Sequence, residues 1–424
     1  MKKLALNGGA KEIKGKFRPY NPIGVEEAEA AKRVIDSGIL SDFLGCWDAR
    51  FYGGAKVQEF ERACENYFGV PHAVTVNSWT AGLIAAIGAI GIEPGDEVIV
   101  PPWTMSATAT AILHWNALPV FSDIESNYFC LDIAALEKNI TPYTKAIIAV
   151  DIFGHSADMD AIMSVASKHG LKVVSDSAQA PGAMYKGRYA GTIANVGGYS
   201  LNYHKHIHTG EGGILVTDDE EIANKARLIR NHGEAVVGDM GRSELANMVG
   251  YNMRLGEIEC AIGIEQLKKL DNFVSRRQAI AQRLTAGLSG LPGLKTPHLM
   301  YDCTHVYYVY PMVLQIDAVD ARRTTIVDAL TAEGIQGVFA GYTNIHLLPM
   351  YQKKIAYGTK GFPWNSEFTK RSICYDKGIC PVAEELHDKT MFGLDLCRYD
   401  LCDDDVDQII AVFWKVWRGL GFLG

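Results

Sequence analysis

The chain has 424 residues, 48% hydrophobic and 21% charged, with a formal net charge of −8. That composition excludes a disordered or collagen-like chain, and the acidic balance disfavours a nucleic-acid binder, which needs a concentrated basic face. No uncharged apolar run approaches the ~20 residues of a bilayer span. The apolar stretch after Lys2-Lys3 is shorter than the roughly 7–15 residues of a secretory leader core. A cytoplasmic protein with no membrane or nucleic-acid partner is expected. The nine cysteines contain no CxxC pair, which argues against a disulfide framework or zinc ribbon.

In chain order, residues 73–76 read as a strand. Leu83, Ala86, Ile87 and Ile90 follow at helical spacing, and Gly91 stops them. Residues 97–100 form a strand ended by Pro101-Pro102, and 118–121 form another. Residues 146–150 are apolar throughout, as a strand buried on both faces should be. Asp158 opens a helix with Ile162, Val165 and Ala166 on one face, closed by Gly170. Strands follow at 171–176, 198–201 and 214–216. This alternation predicts an α/β domain with a mixed, mostly parallel sheet between helices. A helix carrying Ile258, Ala261, Ile262, Leu267 and Leu270 leads out of it. Beyond lie a strand-like run at 306–314, a helix at 324–330 and an amphipathic helix at 406–417. The expected division is a large domain over 1–274, including the N-terminal segment, and a smaller α+β domain over 275–424.

The densest chemical signal lies between 174 and 217. Asp176 ends a strand, at the carboxyl edge where open α/β sheets bind ligands. Alone it also fits a cap or turn carboxylate. Lys205 follows a strand and precedes Thr209-Gly210-Glu211-Gly212-Gly213, whose glycines let backbone bend and approach a ligand closely. Alone it reads as a solvated amine. Thr80 and its neighbours Ser78 and Trp79 open a helix after a strand, so their amides can face an anion. Trp79 also fits a core aromatic, and Asn252 a turn residue.

Ser200, Lys205 and Thr209-Gly210-Glu211-Gly212-Gly213, preceded by Asp176-Ser177-Ala178-Gln179, resemble the DegT/StrS-type (DegT/DnrJ/StrS) sugar aminotransferase family. These are fold-type I enzymes that use pyridoxal 5′-phosphate. Asn77-Ser78-Trp79-Thr80-Ala81, Gly95-Asp96-Glu97-Val98 with Thr104, Gly250-Tyr251-Asn252-Met253-Arg254 and His346-Leu347-Leu348-Pro349 with Tyr351 extend the likeness over most of the chain. The resemblance implies that Lys205 bonds to the cofactor and moves the proton. It implies that Asp176 pairs with the ring nitrogen, that Gln179 touches the ring and that Ser78, Trp79, Thr80 and Ser200 hold the phosphate. Asn252 would come from the second subunit of a homodimer. The implied activity is transfer of an amino group from glutamate or glutamine to a keto sugar, nucleotide-linked or free, or to a keto cyclitol.

Three positions depart from the family pattern. Trp79 replaces a small glycine, placing a large ring by the phosphate or the substrate mouth. Met105 stands where many relatives stack an aromatic on the cofactor ring, and Gly341 where many carry a histidine before Tyr342. His204, His206, Tyr342 and His346 are expected around the substrate. A metal held by His204, His206 and His208 is disfavoured, because the segment reads as a turn and no acidic or cysteine ligand accompanies it. Two competing functions are a sugar dehydratase of the same family, whose members carry histidine in place of the lysine, and a non-enzymatic regulator, which nothing in the sequence supports.

Overall fold

The computed structural model describes residues 3–423. Its main sheet has seven strands. In spatial order they are His72–Val76, Gly213–Thr217, Val196–Ser200, Lys172–Asp176, Thr144–Val150, Glu97–Val100 and Leu118–Phe121. Gly213–Thr217 runs against both neighbours and every other pairing is parallel. The strands are almost wholly buried, which is why they read as apolar runs rather than alternating ones. The sheet delivers Asp176 and Ser200 as the last residues of adjacent strands.

A second, four-stranded antiparallel sheet joins Leu294–Lys295, Tyr310–Leu314, Met391–Leu394 and Val338–Ala340 in that order. Tyr310, Phe392, Phe413 and Trp417 fill its core against helices Arg323–Ala332 and Asp403–Gly419. Although the N-terminal segment was expected in the large domain, Leu4, Ile13 and Phe17 pack into this second core. The segment is tied down there by Glu333, whose buried carboxylate accepts from the amides of Ala5 and Glu12 and pairs with Lys415 at 2.7 Å.

The expected single helix through Leu270 is two helices, Glu257–Leu267 and Leu270–Leu288. Lys268 and Lys269 form the turn between them, and Lys269 reaches the buried carboxylate of Glu27 at 2.7 Å. The second helix runs straight through the expected 274/275 boundary. Of the strand-like run 306–314 only Tyr310–Leu314 is a strand. Tyr307 sits at φ 51°, in the left-handed region, which breaks the extended geometry ahead of it. Among the described residues no helix is long and apolar enough to cross a membrane.

Candidate active site

A cavity of about 230 Å³ opens at the carboxyl edge of the main sheet. Lys205, Asp176, Ser200, Thr80 and Tyr342 line it, together with Tyr308, which sequence reasoning did not single out. Lys205 lies in the turn after Val196–Ser200 and is only 7% exposed. Its amine stands 4.3 Å from the centroid of the Tyr308 ring and, among the described residues, has no carboxylate ion-pair partner. Burial is the largest influence on it and pushes it down from 10.5 to about 8, against weaker upward pulls from Cys397, Asp176 and Asp395. A buried lysine of this kind is a base and a nucleophile rather than a surface charge.

Asp176 is held by three donors. Its Oδ1 accepts from the Trp79 indole N–H at 2.8 Å and from the Ala178 amide at 3.2 Å. Its Oδ2 accepts from the Thr108 hydroxyl at 2.6 Å, which in turn lies 2.5 Å from that of Thr104. Helix Trp79–Ala89 is capped by Ser78, whose Oγ accepts from the Ala81 amide and leaves those of Trp79 and Thr80 without an intrahelical acceptor. Gln179 is fixed from both ends: its Oε1 accepts from the Phe153 amide at 2.7 Å, and its Nε2 donates to the Tyr342 hydroxyl at 3.4 Å. Trp103 and Phe153 pack on the Tyr342 ring from behind. Asn202 Oδ1, also on the cavity wall, is buried without a hydrogen-bond partner among the described residues.

This donor set fits pyridoxal phosphate. It offers a neutralisable amine, a carboxylate for a ring nitrogen, and a helix N-terminus with a hydroxyl for a phosphate. An orphaned oxygen on the wall is a further place for a ligand donor.

Of the residues expected around a substrate, His204 lines the cavity from an exposed position. Desolvation first, and then the neighbouring Lys205 charge, lower it to about 4, so it stands neutral. His206 points away. It is fully buried, and its Nε2 sits 2.8 Å from the Val306 carbonyl. In a turn, positions two apart need not share a face, so His206 is not held beside His204 at the cavity. His208 Nδ1 accepts from the Gly210 amide, so the three imidazoles have separate surroundings. His346 is also fully buried, 2.9 Å from Glu384, and lies off the cavity. Asn252 is exposed outside the cavity, its Oδ1 accepting from Arg254 Nε at 2.8 Å.

The departures from the family pattern separate. Met105 lines the mouth of the cavity and is 65% exposed. Gly341 has φ 67°, and a Cβ there would lie 2.6 Å from the His387 carbonyl, so a histidine does not fit. The ring of Trp79 does not stand at the substrate mouth. The side chain is buried between Gly82 and Gly198 with its N–H on Asp176. Sequence reasoning missed Tyr308, Thr108 and Tyr20. The Tyr20 hydroxyl donates to the His206 carbonyl at 2.6 Å and so ties the N-terminal segment to the lysine turn. Thr108 had a signal, since Ala107-Thr108-Ala109 follows Thr104 in the same stretch of likeness, but no role was attached to it.

The family model for DegT/DnrJ/EryC1/StrS aminotransferases matches residues 36–411. The chain is 37% identical over 413 residues to the spore coat polysaccharide biosynthesis protein SpsC of Bacillus subtilis, covering 95% of this chain and 98% of that one. It is 35% identical over 444 residues to L-glutamine:2-deoxy-scyllo-inosose aminotransferase of Streptoalloteichus tenebrarius, covering 99% of each. Its fold matches the X-ray structure of S. venezuelae DesV in complex with a ketimine intermediate, with a TM-score of 0.76 and 31% identity over 92% of this chain and 94% of that one.

Proposed function

We propose that this chain, which belongs to the DegT/DnrJ/EryC1/StrS aminotransferase family, moves an amino group from glutamate or glutamine to a keto sugar or keto cyclitol, with pyridoxal 5′-phosphate held in the cavity around Lys205. The observation that carries the reading is a buried amine, lowered to about 8, on the same cavity wall as a carboxylate locked by three donors. At pH 7 about one such amine in ten is neutral, against about one in a few thousand for an ordinary lysine. Lys205 would bond to the cofactor and then carry the proton between the substrate carbon and the cofactor. When bound, the cofactor supplies an electron sink for the carbon that loses its proton. Asp176 would hold the ring nitrogen in its protonated form. The amides of Trp79 and Thr80 and the Ser200 hydroxyl would hold the phosphate, while Gln179 and Tyr342 border the ring. His204, neutral and exposed at the cavity, offers one donor and one acceptor to a polyhydroxylated acceptor.

The active unit in this reading is a homodimer in which Asn252 of one protomer reaches the phosphate site of its partner. Supporting it, Asn252 is exposed away from its own cavity, and Met105 on the cavity wall and Tyr203 beside Lys205 leave 65% and 68% of their surface open. The test is a half-reaction. Protein loaded with pyridoxamine phosphate is mixed with a panel of nucleotide-linked keto sugars, free keto sugars and inososes, and the products are weighed by mass spectrometry. One class should gain an amino group in place of its carbonyl oxygen. No transfer to any member, or borohydride trapping of the cofactor on a lysine other than Lys205, refutes the reading.

A further inference from the structure

Trp79 is a large side chain in a place with no room for it, unless two other positions give way. A Cβ on Gly198 would lie 2.1 Å from the Ile214 carbonyl oxygen, 2.2 Å from the indole Cζ3 and 2.4 Å from Cη2, and one on Gly82 would lie 2.5 Å from Cε3. Gly198 belongs to strand Val196–Ser200 and Gly82 to the helix that Trp79 opens. Both glycines have an ordinary backbone conformation, so neither serves a turn: Gly82 makes room for the indole, and Gly198 for the indole and the Ile214 carbonyl together. The slot leaves Trp79 4% exposed and fixes where its single side-chain donor points. That donor reaches Asp176 Oδ1 at 2.8 Å.

A carboxylate has about four acceptor sites, two on each oxygen. Oδ1 already takes the indole and the Ala178 amide, whereas Oδ2, among the described residues, takes only the Thr108 hydroxyl. One open acceptor site is left, and it is on Oδ2. The three donors are not equally firm. Thr108 is a rotatable hydroxyl shared with Thr104, and the Ala178 contact is long at 3.2 Å. The indole is both short and wedged.

We propose that Trp79 is a positioning residue for Asp176: the wedged indole N–H saturates Oδ1 and fixes the plane of the carboxylate, so that Oδ2 is the oxygen presented to the ring nitrogen of the cofactor. This rests on the reading of Asp176 given above. It differs from a role at the substrate mouth, because the indole acts only through the carboxylate.

The test uses the full chain and two probes that differ at one ring position, pyridoxal phosphate and its 1-deaza analogue, which has carbon in place of the ring nitrogen. Dissociation constants for both are measured by absorbance in the parent, in Trp79→Phe, in Asp176→Asn and in the double variant. A second replacement at position 79, β-(3-benzothienyl)alanine, keeps the indole shape and removes only the N–H, so a folding defect of the phenylalanine variant does not block the test. Loss of the N–H should cut the preference for pyridoxal phosphate over the deaza analogue by about tenfold, the size of one hydrogen bond to a charged group. Affinity for the deaza analogue itself should stay within about twofold, and the effect should vanish in the Asp176→Asn background. Equal weakening of both probes, no change in preference, or an increased preference overturns the proposal. If Asp176→Asn itself leaves the preference of the parent untouched, the assignment of Asp176 has failed, and the proposal falls with it for that separate reason.

Discussion

Replacing Lys205 with methionine should make the cofactor-free protein more stable at pH 7. Burial lowers Lys205 from 10.5 to about 8, so between those values the folded chain binds fewer protons than the unfolded one. Stability belonging to this residue is therefore complete above pH 10.5 and is lost as pH falls through about 8. At neutral pH the fold carries a buried charge it disfavours. The gap corresponds to about 3 kcal/mol, at about 1.4 kcal/mol for each tenfold in proton affinity. The Tyr308 face, 4.3 Å from the amine, returns about 0.5–2 kcal/mol of that as a cation–π contact. Methionine keeps most of the volume and fills irregular gaps well, so little is lost to a cavity. The net expectation is a gain of about 1–3 kcal/mol at pH 7 that shrinks toward zero as pH approaches 10.5. Thermal unfolding of the cofactor-free parent and variant across pH 7–10.5 reads it directly, and the difference between the two cancels other groups that titrate in this range. A variant no more stable at pH 7, or a gain that does not shrink with rising pH, refutes the claim that burial governs this amine.

Three further outcomes follow from the same geometry. Asp176→Asn should retain cofactor on Lys205 yet slow the proton-transfer half-reaction by about a hundredfold or more in stopped-flow absorbance, and near-parent rates would make Asp176 structural. Mixing Lys205→Ala protomers with Asn252→Ala protomers should restore activity, because each heterodimer keeps one intact site; verified heterodimers without activity contradict site sharing. His204→Ala should raise the acceptor Michaelis constant with little change in melting temperature. His206→Ala, which empties a fully buried position bonded to Val306, should instead cost about 2 kcal/mol or more of stability, so the two histidines separate in paired melting and kinetic measurements.

The sheet was legible because strands buried on both faces have no polar alternation to confuse, and the stretch 146–150 appears in the structure inside Thr144–Val150. Asp176 and Lys205 were legible as candidates because a carboxylate ending a strand and a lysine before a glycine-rich turn form a local pattern, and both line one cavity. What failed was anything decided by distant backbone. The direction of the Trp79 ring depends on Gly198, more than a hundred residues away, and a sequence does not announce that two missing side chains form one slot. Tyr308 was hidden in an apolar run that reads as strand, and only the left-handed Tyr307 before it reveals the break. His346 sat in a family motif, but its buried partner Glu384 lies on a later helix, so the motif gave the residue without its orientation.

Helix Leu270–Leu288 places Leu270 and Val274 in the core beneath the main sheet, and Ile280, Ala281, Leu284 and Leu288 in that of the second sheet. At 1.5 Å per residue its 19 residues form a rod of about 28 Å owned by both halves. The two sheets are therefore separable on paper but not with scissors. A cut after 274 would leave the first fragment five residues of helix, too few to hold a turn and a half on their own, and would start the second on an uncapped end. Grafting the smaller half from a relative calls for moving the whole rod, and with it the apolar contacts Leu270 and Val274 make below. The useful crossover point for such chimaeras is the Lys268-Lys269 turn, where the helix is already interrupted.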